Sequence, residues 1–201
     1  IAASTRAAMH KYVFGKAGDR RVLIDLQHRD DARVVENNIE VLDERTIRGV
    51  RRTNNWAKDQ LVYFYIEFDR DIISVDYEYK KDLPIKASIN LGSNLKQVNL
   101  KVAISAVDEM GAQLNAEKEL QSWSLSEIRE NTEKLWEEKL SKIDVEGSED
   151  KKKIFYTAYY HSLFAPNYFQ DVDGRYRGMD KKIHQGSLDQ PYFTIYSLWD
   201  T

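Results

Sequence analysis

The residues best suited to chemistry lie in the last part of the chain. Trp199 and Asp200 stand side by side in an otherwise apolar run. A carboxylate there is costly to bury without a partner. The pair joins an aromatic face, which can pack on the apolar side of a sugar ring, to an acceptor for sugar hydroxyls. The competing role for Asp200 is a helix cap. Asp171, Asp173 and Asp180 flank the tight Asp173-Gly174 turn and suggest a calcium loop, because hard cations take several oxygen ligands. Their spacing departs from that of an EF-hand: a third acidic ligand and a distal Glu are missing. A hairpin, with both turn residues at positive φ, is the better expectation.

His10, His28, His161 and His184 form no pair at metal-ligand spacing. His161 is expected as a packed or hydrogen-bonded core side chain. His184 falls in a polar loop within reach of a pocket. The chain has no Cys, which excludes a disulfide framework, a thiol nucleophile and a cysteine zinc site. Glycoside hydrolysis needs two carboxyl groups at a set separation, and the 33 Asp and Glu residues leave that pair unassigned.

These residues must be positioned by elements that the patterning predicts. Runs at 22–26, 38–42, 46–50, 61–68, 72–77 and 97–104 are rich in branched and aromatic residues and read as strands. Residues 97–104 alternate apolar and polar, as in a half-buried antiparallel strand. Turn signals separate the runs at 16–19, 43–45, 54–55 and 91–94, and together they predict an all-β sandwich. From Gly111 to Ile143 the chain reads as helix. Ser124 and Glu127 form a capping box there, and Ile128, Leu135, Trp136, Leu140 and Ile143 fall near one face. Residues 144–147 break the pattern. A second helix follows Ser148 as N-cap, with Ile154, Phe155, Ala158, Tyr159 and Ser162 on one stripe, and Pro166 stops it. Residues 192–196 lead into 197–201, which open a further helix.

The composition restricts the class of function. A net charge of -3 gives no support to a nucleic-acid partner. Arg48, Arg51 and Arg52, like Lys151, Lys152 and Lys153, have acidic neighbours and read as solvated surface. No run approaches the roughly 18 apolar residues of a membrane span. The first residues form no signal peptide. The strand-like start and the absence of a polar tail predict that the chain is an interior piece of a larger protein.

Taken in order, residues 140–147, 154–163, 171–180 and 196–201, with 55–64 and 103–112 upstream, resemble glycoside hydrolase family 92, a family of exo-acting α-mannosidases. The resemblance covers most of the chain. It implies an α+β multidomain protein: an antiparallel β-sandwich over 1–110, a helical linker over 111–147, and the first helices of an (α/α)6 barrel over 148–201. It also implies removal of terminal α-linked mannose, α-1,2 by expectation, from an N-glycan or mannan, with inversion and calcium assistance, in a periplasmic or secreted protein. Of the family's functional positions, Asp200 carries over as a ligand of the mannose hydroxyls and Thr201 as its neighbour at the pocket edge. Arg175 and Arg177 match a family motif and are assigned to structure near the site. The catalytic acid and base and the calcium ligands are expected outside these 201 residues, so the chain alone is expected to be inactive. Two alternatives remain: a non-catalytic carbohydrate-binding or structural sandwich, and a hydrolase of the same fold acting on another sugar.

Overall fold

The computed structural model describes residues 1–15, 18–28, 33–55 and 58–195. Nine strands come first: β1 (Ala2–Ala3), β2 (Ala7–Val13), β3 (Asp19–Asp25), β4 (Arg33–Val41), β5 (Thr46–Asn54), β6 (Gln60–Phe68), β7 (Ser74–Lys80), β8 (Leu83–Ser93) and β9 (Gln97–Ser105). They build a six-stranded sheet in the order β1-β2-β9-β6-β5-β4 and a three-stranded sheet in the order β3-β8-β7. Every pairing is antiparallel. The sandwich expected from the patterning is present.

Period-two alternation places its core. Phe64, Ile66 and Phe68 of β6 point inward with Val98 and Leu100 of β9, Ile47 of β5 and Ile39 of β4. They meet Ala87, Ile89 and Leu91 of β8 from the other sheet. The patterning missed β8, whose buried face includes a small Ala and whose second residue is Pro84. It also placed a turn at 91–94, whereas the strand runs through Ser93 and the turn begins at Asn94, with a φ of 64°.

Three helices follow: α1 (Glu109–Glu119), α2 (Leu125–Leu140) and α3 (Glu149–Ser162). α1 and α2 cover the outer face of the larger sheet. Ala112, Ala116, Leu120 and Ile128 pack there on Met9, Tyr65 and Ala103. This is why β9 is buried on both faces over much of its length rather than half-buried. The continuous helix expected from Gly111 to Ile143 is interrupted, because Leu120 leaves helical geometry and Ser124 starts a new helix. Only half of the capping box forms. Ser124 Oγ accepts the Glu127 N–H at 3.3 Å. The Ser124 N–H donates to Ser122 Oγ at 3.1 Å, not to the Glu127 carboxylate.

α3 begins after Ser148 as predicted, although that side chain makes no capping bond. Its apolar stripe is not covered by the described residues: no α3 residue is buried. The helix leans on α2 where Tyr160 meets Trp136 edge-on at 4.6 Å. His161 is correspondingly exposed, contrary to the core position expected for it.

The remaining elements are β10 (Asn167–Tyr168), β11 (Arg175–Arg177), β12 (Ile183–Gln185) and β13 (Phe193–Thr194). β10 pairs with β13, and β11 with β12. The Asp173-Gly174 turn forms, but as part of a three-residue loop rather than as the two-residue turn expected. The Asp171 N–H donates to Arg175 O at 2.9 Å and the Gly174 N–H to Asp171 O at 3.0 Å. Gly174 alone takes positive φ, at 88°, as a three-residue hairpin loop requires. The helix expected to open at 197–201 lies outside the described residues.

Candidate functional site

β9 ends at Ser105, and three residues later Asp108 starts α1. Asp108 is extended and its Oδ1 accepts the Gly111 N–H at 2.6 Å, a helix cap of the usual kind. Asp171 lies against this first turn and is 4% exposed. The Ser105 hydroxyl donates to Asp171 Oδ2 at 2.6 Å, and Asn115 Nδ2 to Oδ1 at 2.8 Å. Asn115, fully buried, also donates to Ile104 O at 2.9 Å and accepts the Val172 N–H at 3.0 Å. Both amide hydrogens and one lone pair of its oxygen are therefore used. Ser105 Oγ in turn accepts the Val107 N–H at 2.9 Å.

Burial pushes the Asp171 carboxyl above the ordinary value, and the Ser105 and Asn115 donors work against that shift. Arg175 joins the same junction from the hairpin. It donates to Asp108 Oδ2 at 2.5 Å through Nη1 and to Asp173 Oδ2 at 2.6 Å through Nε. Burial raises the Asp108 carboxyl, but the Arg175 contact and the Gly111 N–H outweigh it and hold Asp108 below the usual range. Arg177 donates to the carbonyls of Ala106 at 2.7 Å and Val107 at 3.1 Å. Both arginines thus act as structural ties.

Two further contacts complete the docking. Arg6 pairs with Glu119 at the end of α1, donates to Gln170 O at 2.5 Å and lies over the Tyr168 ring, 4.5 Å from its centroid. Lys181 meets Asp59 at 3.1 Å, and Arg52 grips the same carboxylate at 2.5 and 3.0 Å. The Arg52 hydrogen bond chiefly holds Asp59 down to about 2.

On the hairpin, Tyr176 stacks on Tyr192 with centroids 4.0 Å apart and on His184 at 5.5 Å. His184 belongs to β12, not to a loop, and its Nε2 lies 2.9 Å from Asp180 Oδ1. The three carboxylates considered as a calcium loop therefore have separate occupations: Asp171 with Ser105 and Asn115, Asp173 with Arg175, Asp180 with His184. They do not fit a cation cage, and no cluster of three or more His, Asp or Glu among the described residues is arranged to hold a metal ion.

Asp200 and Thr201, the substrate-binding candidates, lie outside the described residues, as does Trp199. His10 Nδ1 lies 2.9 Å from the Tyr12 hydroxyl, and His28 is exposed. The arginines expected as solvated surface have definite partners: Arg48 with Glu40 and Glu109, Arg51 with the carbonyls of Leu26 and His28, Arg52 with Asp59. Sequence reading missed Ser105, Asp108 and Asn115. The available signal was a polar Asn115 in the same helical stripe as Ala112 and Ala116.

Comparison with known proteins adds the following. The profile of the glycosyl hydrolase family 92 N-terminal domain matches residues 1–105, and that of the family 92 catalytic domain matches residues 111–201. A family GH92 α-mannosidase from Bacteroides thetaiotaomicron, solved also in complex with mannoimidazole, superposes with TM-scores of 0.87 and 0.88 at 27% identity. The superpositions cover 98% of this chain but only 29% and 28% of that enzyme. An inverting mannosidase of the same family and organism shares the fold, with a TM-score of 0.78 at 21% identity over 96% of this chain and 27% of its own. An uncharacterized secreted glycosidase from Arthroderma benhamiae is 32% identical over 111 residues, 52% of this chain and 13% of that protein.

Proposed function

The chain belongs to glycosyl hydrolase family 92, and on that premise we propose that the protein it forms part of releases terminal α-linked mannose from glycans. In this reading the linkage cleaved is α-1,2, the substrate an N-glycan or mannan, and the protein periplasmic or secreted. Residues 1–110 are sandwich domain, 111–147 helical linker and 148–201 the start of an (α/α)6 barrel. The carrying observation is superposition of nearly the whole chain on an α-mannosidase that was also solved with mannoimidazole. The description of the Arthroderma benhamiae relative as secreted supports export, and no described helix is long and apolar enough to cross a membrane.

Hydrolysis would proceed with inversion: one carboxylic acid protonates the leaving oxygen while a carboxylate activates water on the opposite face. Both groups, and the ligands of an assisting calcium, are assigned to residues outside this chain. Within it, Asp200 accepts hydrogen bonds from mannose hydroxyls and Thr201 borders the same pocket.

A free-standing carbohydrate-binding sandwich is the alternative. Flat sugar platforms use exposed aromatic rings. The outer face of the β3-β8-β7 sheet carries Arg21, Leu23, Asp25, Asp76, Glu78, Lys86, Ser88 and Asn90, and Tyr79, opposite Pro84 at one end, is the single exposed ring on these strands rather than part of a platform. The outer face of the larger sheet is packed under α1 and α2 over β2, β6 and β9. Both features favour the hydrolase.

The test is release of mannose from α-mannobiosides of each linkage by the full-length protein, with and without EDTA. Release that EDTA abolishes and calcium restores is expected. No release from any α-mannoside would leave the binding module or a hydrolase of another sugar.

A further inference from the structure

We propose that Asp171 is a positioning residue that makes the end of the sandwich and the first turn of α1 the support for the strand leading to residues 196–201. The inference rests on the reading of Asp200 as a mannose contact, and its test is separable from that reading.

The geometry runs through three links. Asp171 is the first: a buried carboxylate held by one donor from β9 and one from α1, on residues 66 and 56 positions away in sequence. Gln170, its buried neighbour, is the second. Gln170 Oε1 accepts the Tyr192 N–H at 2.8 Å, while Nε2 donates to Gly174 O at 3.0 Å and Ser187 O at 3.1 Å. The β10–β13 ladder is the third, setting Asn167 opposite Thr194 and Tyr168 opposite Phe193, with the Phe169 N–H on Tyr192 O at 2.9 Å.

The backbone at 192–194 is therefore tied to 167–170, and that segment is anchored by Asp171, Asn115 and Arg6. α3 is a poor alternative support, since none of its residues is buried. A buried carboxylate is an effective pin because its loss strands Ser105 and Asn115 with unmet donors. A sandwich and a neighbouring segment joined at such points move as one body, so residues 192–194 are held in a fixed place on the sandwich.

The experiment compares Asp171→Ala, Asp171→Asn and Ser105→Ala in the full-length protein. It follows amide hydrogen exchange in 167–177 and 192–194, together with kcat and KM on an α-mannoside. Asp171→Ala is expected to speed exchange in both segments by about tenfold or more, while β6 and β9 stay protected, and to raise KM more than it lowers kcat. Asp171→Asn keeps an acceptor for Asn115 and a donor for Ser105 Oγ, and should recover most of both readouts. If Asp171→Ala fails to fold, Ser105→Ala, which removes one hydrogen bond, carries the same comparison. Unchanged exchange at 192–194 overturns the proposal. So does exchange that rises equally throughout the sandwich, or a loosened segment with unaltered KM. A protein that releases no mannose removes the functional reading, while the exchange measurement still decides whether Asp171 pins 192–194.

Discussion

Gly111 and Asp171 lie so close that a Cβ on Gly111 would overlap the Asp171 Oδ2 atom and sit 2.8 Å from Ser105 Oγ. Gly in a helix normally costs about 1 kcal/mol relative to Ala. Here the missing side chain is the space that the carboxylate occupies. Gly111→Ala is therefore expected to destabilise the protein by about 1–3 kcal/mol, the range for overpacking, in urea unfolding. A gain in stability would mean that Asp171 does not dock where described.

Asn115 makes three hydrogen bonds from a fully buried position. Asn115→Ala takes from Asp171 one of its two donors and leaves the Val172 N–H and the Ile104 carbonyl without the Asn115 amide, and a loss of about 2–4 kcal/mol is expected. Asn115→Asp keeps the shape but sets a second carboxylate against the first, so its deficit should grow as pH rises through the carboxylate range. Denaturant midpoints at acid and neutral pH check both statements.

Arg175 spans two carboxylates, with Asp108 on one side and Asp173 on the other. A lysine presents one point charge and cannot hold both in that fork geometry. Arg175→Lys is expected to cost about 1–2 kcal/mol, measured by thermal or urea unfolding. Lys181→Ala removes only an exposed partner of Asp59 and should cost less than about 1 kcal/mol.

Asp171 and Asp59 predict opposite acid behaviour. Asp171 is raised by burial, so its ionisation opposes folding. Its unfavourable contribution is absent below the unfolded value and grows as pH rises through the folded one. The stability of the unaltered protein relative to Asp171→Asn should fall over that interval and then level. Asp59 is lowered, chiefly by Arg52, from 3.8 to about 2. Its contribution is present in full above 3.8 and disappears as pH drops through 2. Asp59→Asn should therefore narrow its deficit on acidification, as urea midpoints across that window would show.

Much of the sandwich was legible because strand burial is a local, period-two property. The runs at 61–68 and 97–104 became β6 and β9 with little change at their ends. Ser124 and Ser148 marked the starts of α2 and α3 correctly. β8 was missed because Pro84 and a small Ala87 obscure its alternation. The break at Leu120 was missed because helical periodicity continues across it while the chain turns to stay on the sheet.

The candidate site was less legible. The motif at 171–180 stands out in the sequence, but its spacing marks the aspartates only as ligands or turn formers and carries no sign that Asp171 is buried. The motif at 103–112 is separate in the sequence, and nothing in either motif indicates that the two meet. Ser105 and Asp171 are 66 residues apart, and Asp108 and Arg175 are 67. Nothing in local spacing reports such a contact.

By itself, then, the sequence determined the class of fold, the hairpin turn and the family, because alternation, capping and motif order are written into neighbouring residues. Only the tertiary structure decided which carboxylate is buried and which is solvated. The cost of a charge depends on the donors around it, and here those donors come from β9 and α1, elements brought to Asp171 by the packing of the chain.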